Sequence, residues 1–350
     1  MIEKLLSTIN WLPSHLAREV QRSLDGSSRI KPTHIYLCVC DHYEPYWNRV
    51  VHNTARGRIK RWLDQYPKIA EQHRDSNGNI LKWSFFYPEE EYRVDDMHEL
   101  AGLCHSGFGE VEIHLHHDND TSENLRRTLT DYKKRLHETH GLLSRSAAGE
   151  IIYGFIHGNW ALCNSRPDGR WCGVNDEINI LLETGCYADF TLPSAPSETQ
   201  TRKVNSIYYA TDRPGRSKSH DSGIDAESGK NGEGLLMVQG PLCLNWNNRK
   251  SGLFPRIENG GLFSNNPPTP IRVKSWIDTG ISVKGAPEHI FVKIYTHGAN
   301  DDVMRMLFDN GGLARLFESF ERYQETAAIH YVSAREMVER IVEIQGSSSV

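Results

Sequence analysis

No GxxxxGK, no GxGxxG placed after a strand, no GxSxG and no CxxC occurs in this chain of 350 residues. The first three absences remove support for a nucleotide-cradling loop and a serine-esterase elbow, and the fourth counts against a disulfide framework. Positive charge is not in excess either. The formal net charge is -5, so the chain lacks the basic surface that neutralises a nucleic-acid backbone, and a neutral or polar ligand fits better. The apolar stretch within MIEKLLSTINWLPSHLAREV is too short and too interrupted by charge for a signal peptide or membrane span. A soluble cytoplasmic protein is the resulting expectation. The seven cysteines are odd in number, which argues against a secreted disulfide framework. Buried thiols account for them, with Cys38 and Cys40 alternating in a strand and Cys163, Cys172 and Cys186 in one chain region.

What the chain does have is apolar content, 38% of residues, enough to bury a large core as one elaborate α/β domain or two small ones. Its densest chemistry is EVEIHLHHDND, which packs His114, His116, His117, Asp118 and Asp120 into seven positions. Histidine and carboxylate concentrated behind a strand-like run form a metal-site pattern. Glu110, Glu112, His114 and His116 share one parity and Val111, Ile113 and Leu115 the other. The aliphatic side should therefore face helices, and the polar side a shared interior or mouth.

The alternation of elements predicts core strands over residues 35–40, 80–87, 111–115, 151–156 and 291–295. Helices are expected over 54–66, 94–104, 121–138 and 176–183, with two more starting at Asp301 and Ser333. Strands alternating with helices argue for a parallel sheet or barrel, whose ligand groups gather beyond the carboxyl ends of the strands. Asp41 and His42, the His114 cluster, and His157 with Asn159 and Trp160 fall at such ends. Residues 217–233 are polar, Gly-rich and aperiodic, the pattern of a loop over the site mouth.

In motif order over roughly residues 35–299, the chain resembles the divergent side of the polysaccharide deacetylase superfamily, the NodB-homology carbohydrate esterases. That resemblance implies a distorted or incomplete parallel (β/α) barrel over 31–332 with a loop excursion at about 194–270. An N-terminal helical segment over 1–30 precedes it, and a C-terminal helix with a frayed tail over 333–350 follows. The family's first strand ends in two aspartates, a base and a metal ligand, where this chain reads Cys40, Asp41, His42. Either Asp41 is the base and His42 the ligand, or Asp41 is the ligand and the base is missing. The family's second motif, two histidines four apart, resembles His114 and Asp118, with His116 and Asp120 as the alternative register and His117 alongside. The groove arginine of the third motif has no counterpart in HGNWALCN. Asp189 matches the aspartate that orients the base, and His297 in IYTHGA matches the general acid.

Carried over, the family chemistry is hydrolytic removal of an N-acetyl group from a saccharide or sugar conjugate around one divalent ion, zinc as first choice. Asp41, His42, His114, His117 and Asp118 supply the candidate ligands. Asp41, Asp189 and His297 are the candidate catalytic groups. His157, Asn159, Trp160, Phe190 and Trp246 are the expected substrate contacts. Two competing readings stand beside it: a glycan-binding protein that kept the barrel and lost the reaction, and a glycoside hydrolase using Asp41 and Asp189.

Overall fold

Aliphatic residues alternate with polar ones along the first core segment, and in the computed structural model, which describes residues 9–250 and 252–346, this segment is β1 (His34–His42). It extends two residues further than its apolar pattern suggests. Parallel pairing continues through Asp41 opposite Thr296 and His42 opposite Phe86, which keeps both residues in the strand. The other large strands are β2 (Trp83–Pro88), β3 (Gly109–Leu115), β5 (Ile151–His157) and β13 (His289–Thr296). β4 (Ser144–Arg145) lies antiparallel against β5, and β14 (Ala328–Tyr331) runs parallel to the start of β1.

The main sheet is completed by β6 (Cys186–Asp189), β7 (Ile207–Ala210), β8 (Ile224–Asp225), β9 (Leu235–Val238) and β12 (Gly261–Leu262), in the order β12-β13-β1-β2-β3-β5-β6-β9-β7-β8. Pairing along this path is parallel as far as β9, and β7 and β8 then join antiparallel. A separate antiparallel pair is formed by β10 (Cys243–Lys250) and β11 (Phe254–Glu258). The fold is therefore a mixed α/β architecture on a mostly parallel sheet. The sheet is an open path: among the described residues no strand pairing closes it on itself. A buried side chain bridges part of the gap instead, with Lys293 Nζ on β13 donating to the carbonyls of Phe190 and Leu192, 2.5 and 2.6 Å away.

Nine α-helices accompany the sheet among the described residues: α1 (Leu12–Leu24), α2 (His52–Ala70), α3 (Val94–Leu103), α4 (Ser122–His140), α5 (Glu177–Glu183), α6 (Pro270–Asp278), α7 (Asp301–Met304), α8 (Gly312–Glu321) and α9 (Ala334–Gln345). The alternation of β1 sorts its residues between two cores. Ile35, Leu37 and Val39 pack with Trp62, Leu100, Leu125 and Phe317 from the outer helices. Tyr36, Cys38 and Cys40 face inward with Phe86, Ile156, Phe190 and Phe291, against Met337, Val338 and Ile341 of α9. α9 is fixed by a Ser333–Glu336 capping box, and the Glu110 carboxylate accepts from Ser333 Oγ at 2.8 Å and the Arg335 N–H at 3.2 Å. This seals one end of the inner face and leaves the other, at the strands' carboxyl ends, for chemistry. Of the C-terminal segment expected over 333–350, residues 347–350 lie outside the described residues.

Candidate metal centres

Because Asp41 and His42 are consecutive residues of one strand, they point to opposite faces of the sheet and do not enter one site together. Asp41 faces the outer helices. Its Oδ1 accepts the Gly298 N–H at 2.6 Å and its Oδ2 the indole N–H of Trp83 at 2.9 Å. Burial pushes this carboxyl up to about 7, against the opposing pull of those two donors. The placement turns Asp41 from an expected base or ligand into a brace between the ends of β1 and β13.

His42, on the inward face, gathers with Glu44 and His114 into a buried group whose donor atoms lie within 4.8 Å of one another. His114 is oriented by its Nδ1 on the carbonyl of Ile156 at 2.8 Å, which leaves Nε2 facing Glu44 Oε1 at 3.1 Å. His116 repeats the arrangement, with Nδ1 on Glu90 and Nε2 3.3 Å from the same Glu44 oxygen. Each ring has its outer nitrogen engaged and its inner nitrogen on the carboxylate, the way metal-binding histidines are held by their surroundings. Burial raises the Glu44 carboxyl, but the imidazoles of His114 and His116 overcome this and hold it well below the usual range. Burial, reinforced by His297 and His114, pushes His42 well down, so its neutral ring offers a lone pair. Glu44 Oε2 and His297 Nδ1 are buried with no hydrogen-bond partner. These residues fit a divalent ion.

A second group, His117, His157, Cys172 and Glu177, meets the same distance criterion. His157 ends β5, and its Nδ1 donates to the Gly158 carbonyl at 2.6 Å. His117 Nδ1 stands 3.1 Å from Asp120 Oδ2, close enough for charge pairing but not aligned for a hydrogen bond. The two Nε2 atoms converge on Glu177 Oε1 at 3.4 and 3.5 Å, and all three atoms are buried without a hydrogen-bond partner. Glu177 Oε2 accepts the Cys163 N–H at 2.6 Å and the Cys172 thiol at 3.4 Å. Burial favours a neutral Glu177, yet His157 and His117 bring it down to about 2; burial lowers His157 to about 4. His117 is raised to about 9, because Asp120 and Glu177 outweigh the opposing effect of burial.

The five expected ligands are thus distributed over different places. His42 and His114 share the first group and His117 belongs to the second. Asp118 is exposed and accepts the Trp171 N–H at 2.7 Å. His157, expected at a substrate, is a donor of the second group. His297 stacks on His42 with ring centroids 4.8 Å apart, and the Trp160 ring lies 5.8 Å from His42 and 6.1 Å from His297. Asn159 precedes Trp160 in a left-handed turn, with φ of 53° and 55°. Phe190 is enclosed in the inner core and presents no face to a ligand; Trp246 is exposed on β10, with the Arg249 guanidinium over its ring. Asp189 is buried and committed to Thr191, through its hydroxyl at 2.7 Å and its N–H at 3.1 Å. With Asp41 equally committed, this pair gives no support to a two-carboxylate glycosidase.

Sequence reasoning passed over Glu44, Glu90, Cys172 and Glu177. Glu44 had a signal, since it follows His42 at the two-residue spacing of a strand face. Cys172 and Glu177 are brought to His117 only by the long connection after β5. Together the two groups give the protein buried His/Glu and His/Glu/Cys clusters able to coordinate a metal ion. No protein-family model matches the chain, and no curated protein matches it.

Proposed function

We propose that the protein is a metal-dependent hydrolase with its catalytic ion at His42, Glu44 and His114, and that it removes an N-acetyl group from a saccharide or sugar conjugate. The observation that carries the metal assignment is the gathering of His42, Glu44 and His114 with their donor atoms within 4.8 Å of one another in a buried place, His114 Nε2 facing Glu44 beside a neutral His42. Three protein donors leave a coordination position open, as catalytic sites do. A divalent ion held there, zinc by preference for this donor set, would polarise a carbonyl and acidify water.

The chain's own residues supply the rest. With Asp41 sealed, proton handling falls to His297, whose imidazole burial keeps below its ordinary pKa and whose Nδ1 lacks a partner. A neutral imidazole there takes the proton of the attacking water and delivers it to the leaving amine, so one ring serves both transfers. Trp160, Tyr295 and Phe263 surround His297 with flat apolar faces, and Trp47, 43% exposed, stands at their edge with its centroid 6.3 Å from His297. Aromatic faces beside polar groups suit a sugar ring carrying an acetamido group. The sequestration of Asp41 favours one second reading, glycan binding without turnover.

The test is acetate release from a panel of N-acetylated sugars, oligosaccharides and nucleotide-linked sugars, with the protein stripped by chelator and then reloaded with Zn²⁺. Release that requires the ion and disappears in His114→Ala is expected. Binding of these glycans by the loaded protein with no acetate from any of them would establish the second reading instead.

A further inference from the structure

We propose that His117, His157, Cys172 and Glu177 form a second metal site, a closed structural zinc site that ties the connection between β5 and α5 to the end of β3. This inference is independent of the hydrolase reading, because none of its four donors belongs to the first group.

The composition of the group is the first reason. It contains four donors, the number that fills a tetrahedral zinc ion and leaves no position for substrate, whereas the first group has three. One carboxylate, one thiolate and two neutral imidazoles balance a dication, so the loaded site carries no net charge into a buried place. Binding releases two protons to solvent, that of the Cys172 thiol as the Sγ–metal bond forms and that of the His117 imidazolium as its Nε2 takes the metal.

Geometry is the second. His157 and Glu177 are fully buried, yet His157 Nε2 and Glu177 Oε1 have no hydrogen-bond partner and face one another at 3.5 Å, with His117 Nε2 3.4 Å from the same oxygen. Zinc–ligand bonds of about 2.0–2.3 Å in a tetrahedron place neighbouring ligands about 3.3–3.6 Å apart. The opposite side of each ring meets an acceptor, the Gly158 carbonyl for His157 and the Asp120 carboxylate for His117. Carboxylate or carbonyl behind histidine is the outer shell that orients zinc ligands.

The third reason is what the site would hold. Of the eleven non-glycine residues with positive φ among the described residues, five lie in this one connection: Asn159, Trp160, Cys163, Asn164 and Trp171. Such conformations persist only where surrounding structure imposes them. The proposed ligands stand at both ends of the segment, His157 before it and Cys172 and Glu177 after it, and His117 anchors them to β3. Between them the chain presents Trp160 to His42 and His297. The ion would act as a clasp that keeps the aromatic wall of the first site in place.

The experiment is a Co²⁺ titration of the chelator-stripped full chain. Two equivalents should bind, and the spectrum should show a near-ultraviolet sulfur-to-cobalt charge-transfer band. Cys172→Ser should lose the band and one equivalent, while His114→Ala should lose the other equivalent and keep the band. Asp120→Asn should retain the band with affinity for that equivalent lowered by about 10- to 100-fold. Trypsin should cut the wild type at the exposed Arg170 faster after stripping and slowly again after Zn²⁺ is restored. A cobalt-loaded wild type without the band, a band unchanged in Cys172→Ser, or cleavage at Arg170 indifferent to zinc overturns the proposal and leaves the cluster a metal-free ion pair. A cobalt- or zinc-loaded wild type that shows the site intact, with the band present on cobalt, but releases no acetate would count against the hydrolase reading alone.

Discussion

Asp41 accepts a 2.6 Å hydrogen bond from the backbone N–H of Gly298, the residue that follows His297. The bond fixes the point at which the chain leaves β13, and so where the His297 ring can stand. A Cβ on Gly298 would lie 2.0 Å from Asp41 Oδ2 and 2.7 Å from the Trp62 ring, so alanine cannot enter without displacing the carboxylate. Gly298→Ala is expected to cost about 1–3 kcal/mol, the range for overpacking a close-packed core. In Asp41→Asn the amide nitrogen must face either Gly298 N–H or Trp83 N–H, two donors in opposition, at a cost of roughly 1–3 kcal/mol. Urea denaturation measures both. Because Asp41 lies outside the donor groups, each variant should keep its metal, and metal loss from Asp41→Asn would return this residue to the ligands.

His297 sits against His42 without belonging to either donor group. His297→Ala should therefore retain its metal, while hydrolysis falls by about 10²-fold or more, the scale of a lost proton-transfer group. Elemental analysis alongside acetate release separates the outcomes. Loss of the ion with activity would make His297 a ligand, and an unchanged rate would remove it from the reaction.

How much of this was legible in the sequence follows from which contacts are local. The parity of residues 110–116 read the faces of β3 correctly: Val111, Ile113 and Leu115 enter the outer core, and Glu112 and His114 are buried on the other side. The strands at 35–40, 151–156 and 291–295 were visible for the same reason, since alternation is a short-range signal. The second strand begins at Trp83 and not at residue 80, because pairing partners on β1 and β3 decide where it starts. Asp41 was misplaced because its role depends on β1 continuing through His42, a consequence of Asp41 pairing with Thr296 of β13 and His42 with Phe86 of β2, both distant in sequence. The division of His114 and His117 between two groups was equally hidden. It depends on whether each residue still follows the strand's alternation, and β3 ends at Leu115. The β/α rhythm left a parallel sheet and an incomplete barrel both open, because it does not determine whether the last strands return to the first.

Trp160 offers a test of the aromatic wall that does not involve the ion. Its indole N–H is buried with no hydrogen-bond partner, so the ring is held by packing in a left-handed turn and not by a polar anchor. Trp160→Ala should raise KM for a saccharide more than it lowers kcat, since a stacking face contributes binding to substrate and transition state alike. A fall in kcat with KM unchanged would instead give the ring a role in the chemical step.

The last expectation concerns acid stability, and it is set by Glu258 and Arg272. The pair is buried, with Arg272 Nε 2.8 Å from Glu258 Oε2 and Arg272 Nη2 2.8 Å from Oε1; the Trp276 indole N–H adds a third bond at 2.9 Å. Arg272 also donates to the carbonyl of Gly261, so the pair ties β11 and α6 to β12, just before Phe263 of the aromatic wall. Burial raises the Glu258 carboxyl, but Arg272 and Trp276 more than reverse this, and it lies below its ordinary value. A carboxyl depressed in the folded state contributes stability that is fully present above the unfolded pKa, about 4.3 for glutamate, and is lost as pH falls through the lower folded value. Unfolding free energy measured from pH 7 down to pH 3 should therefore decline at the acid end, in part through this group. In Glu258→Gln the Arg272 charge is left buried and unpaired, which should cost about 3–5 kcal/mol at pH 7. The same variant should show a shallower decline over the acid range. Parallel stability curves for wild type and variant would mean that Glu258 titrates alike in the folded and unfolded chain, and would remove this pair from the acid response.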